Sequence, residues 1–393
     1  MKKKILIVLP TLRNGGGVIS GLKNMLSLLP TNRFEFYVLP LGYSGYNNVK
    51  LENCKILEDS FILTAIDGVY EHSENYKHKV LLWMAKVLLT LLNKFKLRSK
   101  LVEMLYKQVA KKYNGYDVVI AYQEGAATQF TQYIKASLRI AWIHCDYAQR
   151  FELLKHRSEE HMYSQYDKIV SVSKYTMNNF IQIYPALKER STDIYNLLNT
   201  QTILQNATTE NANISFNKDI VNIVSIGRIH PVKQFHLIPQ IISQILNNGV
   251  TNFRWILIGG AESNALQQIN QEIERYNISE KHFMYIGQQL NPYPYIQNSD
   301  ILVSTSSSEA CPFVVNEARV LGVPVVSNNY PAIYEYVNDG KNGRITTIDK
   351  MPNVLCTLIK SKETLELLKR GAKTDEYNNR TIIENICALF EII

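Results

Sequence analysis

Short apolar runs alternate with longer segments of helical spacing along the whole chain, and this alternation restricts the fold more than any other feature. Short apolar strands separated by helices are typical of parallel sheets that are covered on both faces. The sequence therefore predicts an α/β fold. The predicted strands are Ile5–Leu9, Phe36–Leu39, Val118–Ala121, Arg139–Ile143, Ile169–Val172, Val221–Ile226, Trp255–Ile258, Phe283–Ile286, Ile301–Ser304 and Pro324–Ser327.

A polar stretch over residues 200–218 interrupts the alternation, which restarts at Val221. With 393 residues, of which 46% are hydrophobic, the chain is long enough to form two separate cores. We expect one domain over residues 1–200 and a second over residues 201–377. Because ligands of such sheets bind at the carboxyl ends of the strands, we predict a central binding cleft that the two domains face.

Cysteine usage and the chain start favour a cytoplasmic protein. The five cysteines are scattered and form no CxxC pair, so neither a disulfide framework nor a zinc site is predicted. The start MKKKILIVLP is typical of a first strand rather than of a signal peptide, since no cleavage site follows it. No apolar window is long enough to predict a membrane-spanning helix.

The positive charge is concentrated in the first half of the chain. Residues 1–200 contain 27 Lys and Arg against 17 Asp and Glu, and residues 77–112 alone contain ten against one. Apolar residues are interleaved with the basic ones there. This pattern predicts a basic amphipathic surface that contacts anionic lipid on the inner face of the cell membrane. The alternative is two ordinary helices with solvated lysines. No nucleic acid partner is predicted, because no known binding motif accompanies the charge.

The segment Asp300–Val326 contains two glutamates, Glu309 and Glu317, within a predicted strand, loop, helix and strand. Pro312 suits the first turn of the helix, and Gly322 suits its end. The free amides and the positive dipole of a helix start favour phosphate, and carboxylates bind hydroxyls. A sugar nucleotide requires both. Solvated surface acids, or a hydrolytic carboxylate pair, are the alternatives.

A second cluster follows the strand Val221–Ile226. Gly227 marks a turn, and Arg228 and Lys233 lie five residues apart in the connection. Two cations there would clamp a diphosphate and stabilise the charge that develops on a leaving nucleotide. The alternative is two solvated loop side chains. The sequence has neither an Asp-x-Asp triplet nor a His/Asp cluster with metal spacing. We therefore predict no metal and no cofactor.

Two further candidates lie at strand ends in the first half of the chain. Gly16 and Gly17 follow the first strand and would let backbone amides approach a ligand, although a flexible turn is the alternative. His144 directly follows the strand Arg139–Ile143 and would orient an acceptor hydroxyl or bind a donor sugar. A structural histidine is the alternative there. Glu124 is a weaker candidate of the same kind.

Together these motifs resemble the family 4 retaining glycosyltransferases of GT-B fold, bacterial polysaccharide or lipid-linked glycan type. The matching signatures are the glycine loop that ends at Gly17, the Gly-Arg-x4-Lys motif from Gly227 to Lys233, and the Glu-x7-Glu motif from Glu309 to Glu317. Gln234 follows the lysine where the family often has glycine. The resemblance implies two Rossmann-like domains and a C-terminal helix, over about residues 378–393, that returns to the first domain.

The resemblance also implies a role for each site residue. Arg228 and Lys233 would bind the donor diphosphate, Glu309 the hydroxyls of the transferred sugar, and Glu317 the ribose. His144 would lie near the reacting anomeric carbon. Backbone amides would support the phosphates and the sugar, namely those of Gly16, Gly17, Phe313 and Val314.

We therefore expect a metal-independent, retaining transferase that moves a hexose or N-acetylhexosamine from a UDP-sugar to a lipid-linked or surface-polymer glycan. Such an enzyme would act in cell-envelope polysaccharide biosynthesis, in the cytoplasm or peripherally on the membrane. A sugar-nucleotide epimerase of the same fold, and a partner subunit that binds donor without turnover, are the alternatives.

Overall fold

The computed structural model describes residues 2–12, 16–42, 49–58, 60–67, 76–94, 97–209, 214–261, 263–374 and 376–392. The chain divides into two compact units. The first unit contains Met1–Leu197 together with Asn379–Ile393, and the second contains Leu198–Asn378. Each unit contains one parallel β-sheet and its own helices, so the predicted α/β fold is confirmed.

The sheet of the first unit has seven parallel strands in the order β3-β2-β1-β4-β5-β6-β7. The strands are β1 (Lys3–Leu9), β2 (Phe34–Pro40), β3 (Cys54–Ile56), β4 (Val118–Ala121), β5 (Leu138–Ile143), β6 (Lys168–Ser171) and β7 (Ser191–Asp193). The helices are α1 (Gly17–Leu28), α2 (Phe61–Asp67), α3 (Tyr76–Lys94), α4 (Arg98–Ala110), α5 (Ala126–Thr131), α6 (Tyr147–Leu153), α7 (Glu160–Tyr163) and α8 (Lys174–Ile183).

The second unit repeats this topology with six strands in the order β10-β9-β8-β11-β12-β13. Its strands are β8 (Val221–Ile226), β9 (Phe253–Ile258), β10 (Phe283–Tyr285), β11 (Ile301–Ser304), β12 (Val325–Asn328) and β13 (Gly343–Thr346). Its helices are α9 (Thr200–Ala207), α10 (Ile238–Asn247), α11 (Ser263–Arg275), α12 (Tyr293–Gln297), α13 (Phe313–Val320), α14 (Met351–Lys360) and α15 (Lys362–Lys373). The last helix, α16 (Asn379–Phe390), belongs to the first unit.

The central strands are buried along their length, as parallel strands covered by helices must be. Strands β4 and β11 are buried at every residue. Trp255 of β9 and Ile242 of α10 are fully buried in the core of the second unit. The predicted strands are therefore all present, with ends that shift by at most two residues.

Close backbone packing fixes the carboxyl ends of β8 and β9. The Gly227 amide donates to the Ile258 carbonyl at 2.9 Å. A Cβ atom built at Gly259 would lie 1.8 Å from the carbonyl oxygen of Gly227, so no side chain fits there. The loops that follow β8 and β9 therefore begin close together at the carboxyl edge of the sheet.

The structure corrects two parts of the sequence prediction. Residues 200–218 were predicted as an irregular polar stretch, but Thr200–Ala207 forms helix α9, which buries Ile203 and Ala207. Asn199 begins this helix by accepting a hydrogen bond from the Thr202 amide at 3.0 Å. Three strands that the sequence did not predict, β3, β7 and β13, all lie at sheet edges.

Candidate functional site

Two loops of the second unit meet at the carboxyl ends of β8 and β11. These strands are neighbours at the point where the strand order reverses, which is where open α/β sheets bind ligands. Hydrogen bonds join the two loops. The Thr305 hydroxyl donates to the Lys233 carbonyl at 2.6 Å, and the Ser307 amide donates to the Val232 carbonyl at 2.8 Å.

This joining brings Lys233 and Glu309 together across 76 residues of sequence. The Lys233 ammonium forms an ion pair with Oε1 of Glu309, and the two side chains are only 21% and 17% exposed. The Ser306 hydroxyl donates to the same carboxylate oxygen at 2.7 Å. Removal of either partner of such a largely buried ion pair is costly, because it leaves the other charge buried and unpaired.

Glu317 lies in the second turn of α13, in a less polar environment than Glu309. The Tyr293 hydroxyl donates to its carboxylate at 3.4 Å. Although the residue keeps some accessible surface, burial of its carboxyl group raises its pKa to about 7, against the lowering effects of Tyr293 and Lys233. The sequence alternative of a solvated surface acid is therefore wrong for this residue.

The start of α13 lies directly after the loop that carries Glu309. Pro312 is the N-cap rather than the first helical residue, and its side chain caps no amide. The Phe313 and Val314 amides are at the first two helical positions, where an α-helix provides no acceptor. These amides and the helix dipole favour an anion at this point.

Arg228 differs from Lys233 in its surroundings. Its side chain is exposed, and within the described part of the chain no hydrogen bond or ion pair holds its guanidinium group. The structure thus pairs Lys233 with Glu309, and the charge of Lys233 also lowers the pKa of Glu317, whereas Arg228 is exposed on the same loop. Gln234, which follows the lysine, adopts left-handed backbone angles (φ 51°, ψ 31°).

In the first unit, His144 follows β5. Its amide donates to the Glu124 carboxylate at 3.0 Å, so Glu124 positions the backbone of this strand end. The imidazole contacts the ring of Tyr122, with ring centroids 4.6 Å apart. Burial lowers its pKa to about 3, so the ring is neutral at ordinary pH. Its Nε2 atom is buried and has no hydrogen-bond partner among the described residues.

Gly16 and Gly17 stand at the start of α1, after β1. Gly16 has a φ of 107°, which other residues rarely adopt, and a Cβ built there would have no atom within 4 Å. Gly17 opens the helix, so its amide has no intrahelical acceptor. Residues 13–15 of the predicted glycine loop lie outside the described residues.

Sequence reasoning missed several residues that hold the site. Ser306 was interpreted only as loop and Thr305 was not singled out, although the Ser306 hydroxyl donates to Glu309 and the Thr305 hydroxyl to the Lys233 carbonyl. Tyr293 was not singled out, since its contact with Glu317 joins two separate segments. The run of hydroxyl residues Thr305–Ser308, directly after the buried strand β11, was the available signal for Ser306 and Thr305.

Residues 207–374, which lie within the second unit, match the family model described as Glycosyl transferases group 1. One curated relative, an "Uncharacterized 41.2 kDa protein in cps region" of Klebsiella pneumoniae, is 24% identical over 138 residues. That match covers 35% of this chain and 36% of the relative, so it spans about a third of each.

Solved structures of similar fold cover nearly the whole chain. HepE of Anabaena in complex with UDP is 16% identical, with 99% of both chains covered and a TM-score of 0.73. The HepE complex with UDP-glucose has a TM-score of 0.69 at 16% identity, with 98% of both chains covered. TarM of S. aureus is 14% identical, with 100% of this chain and 99% of that chain covered and a TM-score of 0.72. These likenesses confirm the predicted GT-B fold.

Proposed function

We propose that this protein is a retaining, metal-independent glycosyltransferase of family 4 that uses a UDP-sugar as donor. It would transfer a hexose or N-acetylhexosamine to a lipid-linked or surface-polymer glycan in cell-envelope polysaccharide biosynthesis. The Lys233–Glu309 ion pair, next to the uncapped start of α13, carries the proposal. The bound UDP and UDP-glucose of the HepE structures, and the cps-region relative, support it.

The donor diphosphate would bind to the cations and amides of the second unit. The Lys233 ammonium would donate to a phosphate oxygen as well as to Glu309. The exposed Arg228 guanidinium would bind the other phosphate. The Phe313 and Val314 amides would donate to the phosphate and the sugar. Because Lys233 and Arg228 neutralise the leaving group, transfer would need no divalent cation.

Each of the two glutamates would bind a different sugar ring of the donor. Glu309, released from part of its ion pair, would accept hydrogen bonds from hydroxyls of the transferred sugar. Glu317 would accept from the ribose hydroxyls. Carboxylates suit both roles, since a single carboxylate accepts from two adjacent hydroxyls.

The chemical step would be attack by the acceptor on the same face of the sugar from which UDP leaves. The acceptor oxygen bonds to the anomeric carbon, the bond from that carbon to the β-phosphate oxygen breaks, and this oxygen takes the acceptor proton. No protein nucleophile is required. His144, neutral at ordinary pH, would hydrogen-bond a sugar hydroxyl rather than remove a proton. The Gly16 and Gly17 amides would support the phosphate.

The test is donor turnover with and without an acceptor-bearing membrane extract. UDP release and sugar identity are followed for the Glc, Gal, GlcNAc and GalNAc forms of the UDP donor. We expect UDP release from one of these donors, and the extract should stimulate it. EDTA should leave the rate of release unchanged. Glu309→Ala should lower the rate about 100-fold or more, since it removes a charged contact to the reacting sugar.

Glu280→Ala is the matched control, because Glu280 is an exposed acid of the same unit. Isomerised sugar without UDP release would show an epimerase instead. Donor binding without turnover would show a partner subunit. Full activity of Glu309→Ala, with the fold intact by circular dichroism, would refute the role of that carboxylate.

A further inference from the structure

Helix α3 of the first unit is apolar on two opposite faces. Leu82 and Leu89, seven residues apart, are buried where α3 packs on α2 and α4. The opposite face carries a stripe at helical spacing whose side chains are 38–56% exposed. This outward stripe consists of Val80, Met84, Val87 and Leu91, and it is flanked by the exposed Leu81 and Trp83.

Exposed large apolar side chains are concentrated on this part of the surface. Of the 16 that occur among the described residues, eight lie between Val80 and Met104. The other eight are distributed over the rest of the chain, from Ile56 to Ile392. Scattered apolar residues need no explanation, but a contiguous apolar face indicates a partner that covers it.

The charge of the segment that contains the outward stripe indicates the kind of partner. Residues 77–112 contain ten Lys and Arg against the single acid Glu103, which is already paired with Lys107 at 2.6 Å. The exposed basic side chains of α3, α4 and the turn after α4 are Lys86, Arg98, Lys100, Lys107, Lys111 and Lys112. An exposed apolar face within a segment of net positive charge is complementary to an anionic, partly apolar surface.

We propose that α3 and α4 dock this protein on an anionic lipid bilayer. The outward stripe and Trp83 enter the headgroup region, and the lysines of α4 bind lipid phosphates. A second copy of the chain is a poorer occupant, because it would place two strongly basic surfaces against each other. Of the helices in the described ranges, none has the length and apolar character needed to cross a membrane, so this is contact with the surface.

This inference deepens the proposed function, since it places the enzyme where a lipid-linked acceptor is found. Its test, however, measures binding without any transfer. The protein is floated with vesicles of phosphatidylcholine alone and with vesicles that also contain phosphatidylglycerol. We expect binding only to the anionic vesicles, and weaker binding as salt rises.

Tryptophan fluorescence gives an independent readout. The chain has three tryptophans, and the other two, Trp142 and Trp255, are buried at 2% and 0% exposure. A blue shift on addition of anionic vesicles therefore reports the environment of Trp83. Trp83→Phe should abolish the shift while binding persists.

Two variants with matched controls separate the apolar and the basic contributions. Trp83→Ser with Met84→Ser should lower vesicle partitioning at least about 10-fold, whereas Leu367→Ser, at a similarly exposed leucine of the second unit, should not. Lys100→Gln with Lys111→Gln should lower it about 5-fold for each lysine, whereas Lys218→Gln with Lys281→Gln should not.

UDP release in solution should stay unchanged in all these variants, so loss of binding is distinguishable from failure of the proposed enzyme activity. Equal binding of all variants would overturn the inference, as would absence of any shift or flotation. A blue shift that grows with protein concentration without vesicles, together with a larger sedimenting species, would assign the surface to self-association instead.

Discussion

At the scale of single residues, the raised pKa of Glu317 predicts a pH dependence of donor binding. The carboxyl titrates at about 7, and only its ionised form accepts hydrogen bonds from both ribose hydroxyls. The KM for the UDP-sugar should therefore rise as the pH falls below about 7. Glu317→Gln should have a high KM that no longer changes over this range. A wild-type profile retained in Glu317→Gln would contradict the assignment.

The same pKa predicts the sign of a stability change. In the folded state Glu317 binds its proton up to about pH 7, against a reference value of 4.5, so the folded protein binds more protons between these values. Glu317 therefore lowers the free energy of unfolding as the pH rises through this window, and the full loss is reached above pH 7. In urea unfolding, Glu317→Gln should be more stable than wild type by up to about 3 kcal/mol at pH 8, and by much less at pH 5.

Residue types and spacing could identify Lys233, Glu309 and Glu317 as site candidates but could not predict which of them are in contact. Their contacts depend on how the loops after β8 and β11 are joined, and that joining uses hydroxyl and backbone groups. Such groups occur in any loop, so their sequence signal is weak. The pKa of Glu317 likewise follows from burial by distant segments, which no local pattern reports.

At the scale of secondary-structure elements, the connection between β8 and α10 contains a strained position. Gln234 has a φ of 51°, which costs a non-glycine residue about 1–2 kcal/mol. Gln234→Gly removes this strain but adds about 0.5–1 kcal/mol of chain entropy to be lost on folding. We expect Gln234→Gly to be neutral or stabilising by up to about 1 kcal/mol in urea unfolding, and Gln234→Val to be destabilising.

The matched control is the same change in regular helix. Gln240 lies in α10, where Gln240→Gly should cost about 1 kcal/mol. If both glycine variants lose the same stability, the left-handed angle at Gln234 carries no strain. Such a result would also remove the physical reason for glycine at this position of the motif.

The elements that sequence analysis recovered and those it missed differ in burial. Central strands such as β4 and β11 are covered on both faces and therefore appear as apolar runs. The missed strands β3 and β7 have three residues each, lie at opposite edges of one sheet, and contain no buried residue. Helix α9 was not predicted because its buried apolar residues, Ile203 and Ala207, span only one helical turn.

At the scale of the whole molecule, the first and last segments of the chain share one unit. Phe390 of α16 is fully buried and meets the ring of Phe34 edge-on, with centroids 5.5 Å apart. Arg33 and Glu391 form an ion pair next to it, at 2.5 Å. The last helix therefore completes the core of the first unit, although the whole second unit separates it from that unit in sequence.

This arrangement predicts which part of the protein each core mutation destabilises. Because the two units have separate cores, calorimetry should resolve two transitions. Phe390→Ala should destabilise the first unit by about 3–5 kcal/mol and lower only its transition. Ile241→Ala, at a buried residue of the second unit, should lower only the other transition. UDP should raise the second transition more than the first, since Arg228, Lys233 and the start of α13, which provide most of its proposed contacts, lie in the second unit. If Phe390→Ala lowers the transition that UDP raises more, the assignment of α16 to the first unit, or of most nucleotide contacts to the second, is wrong.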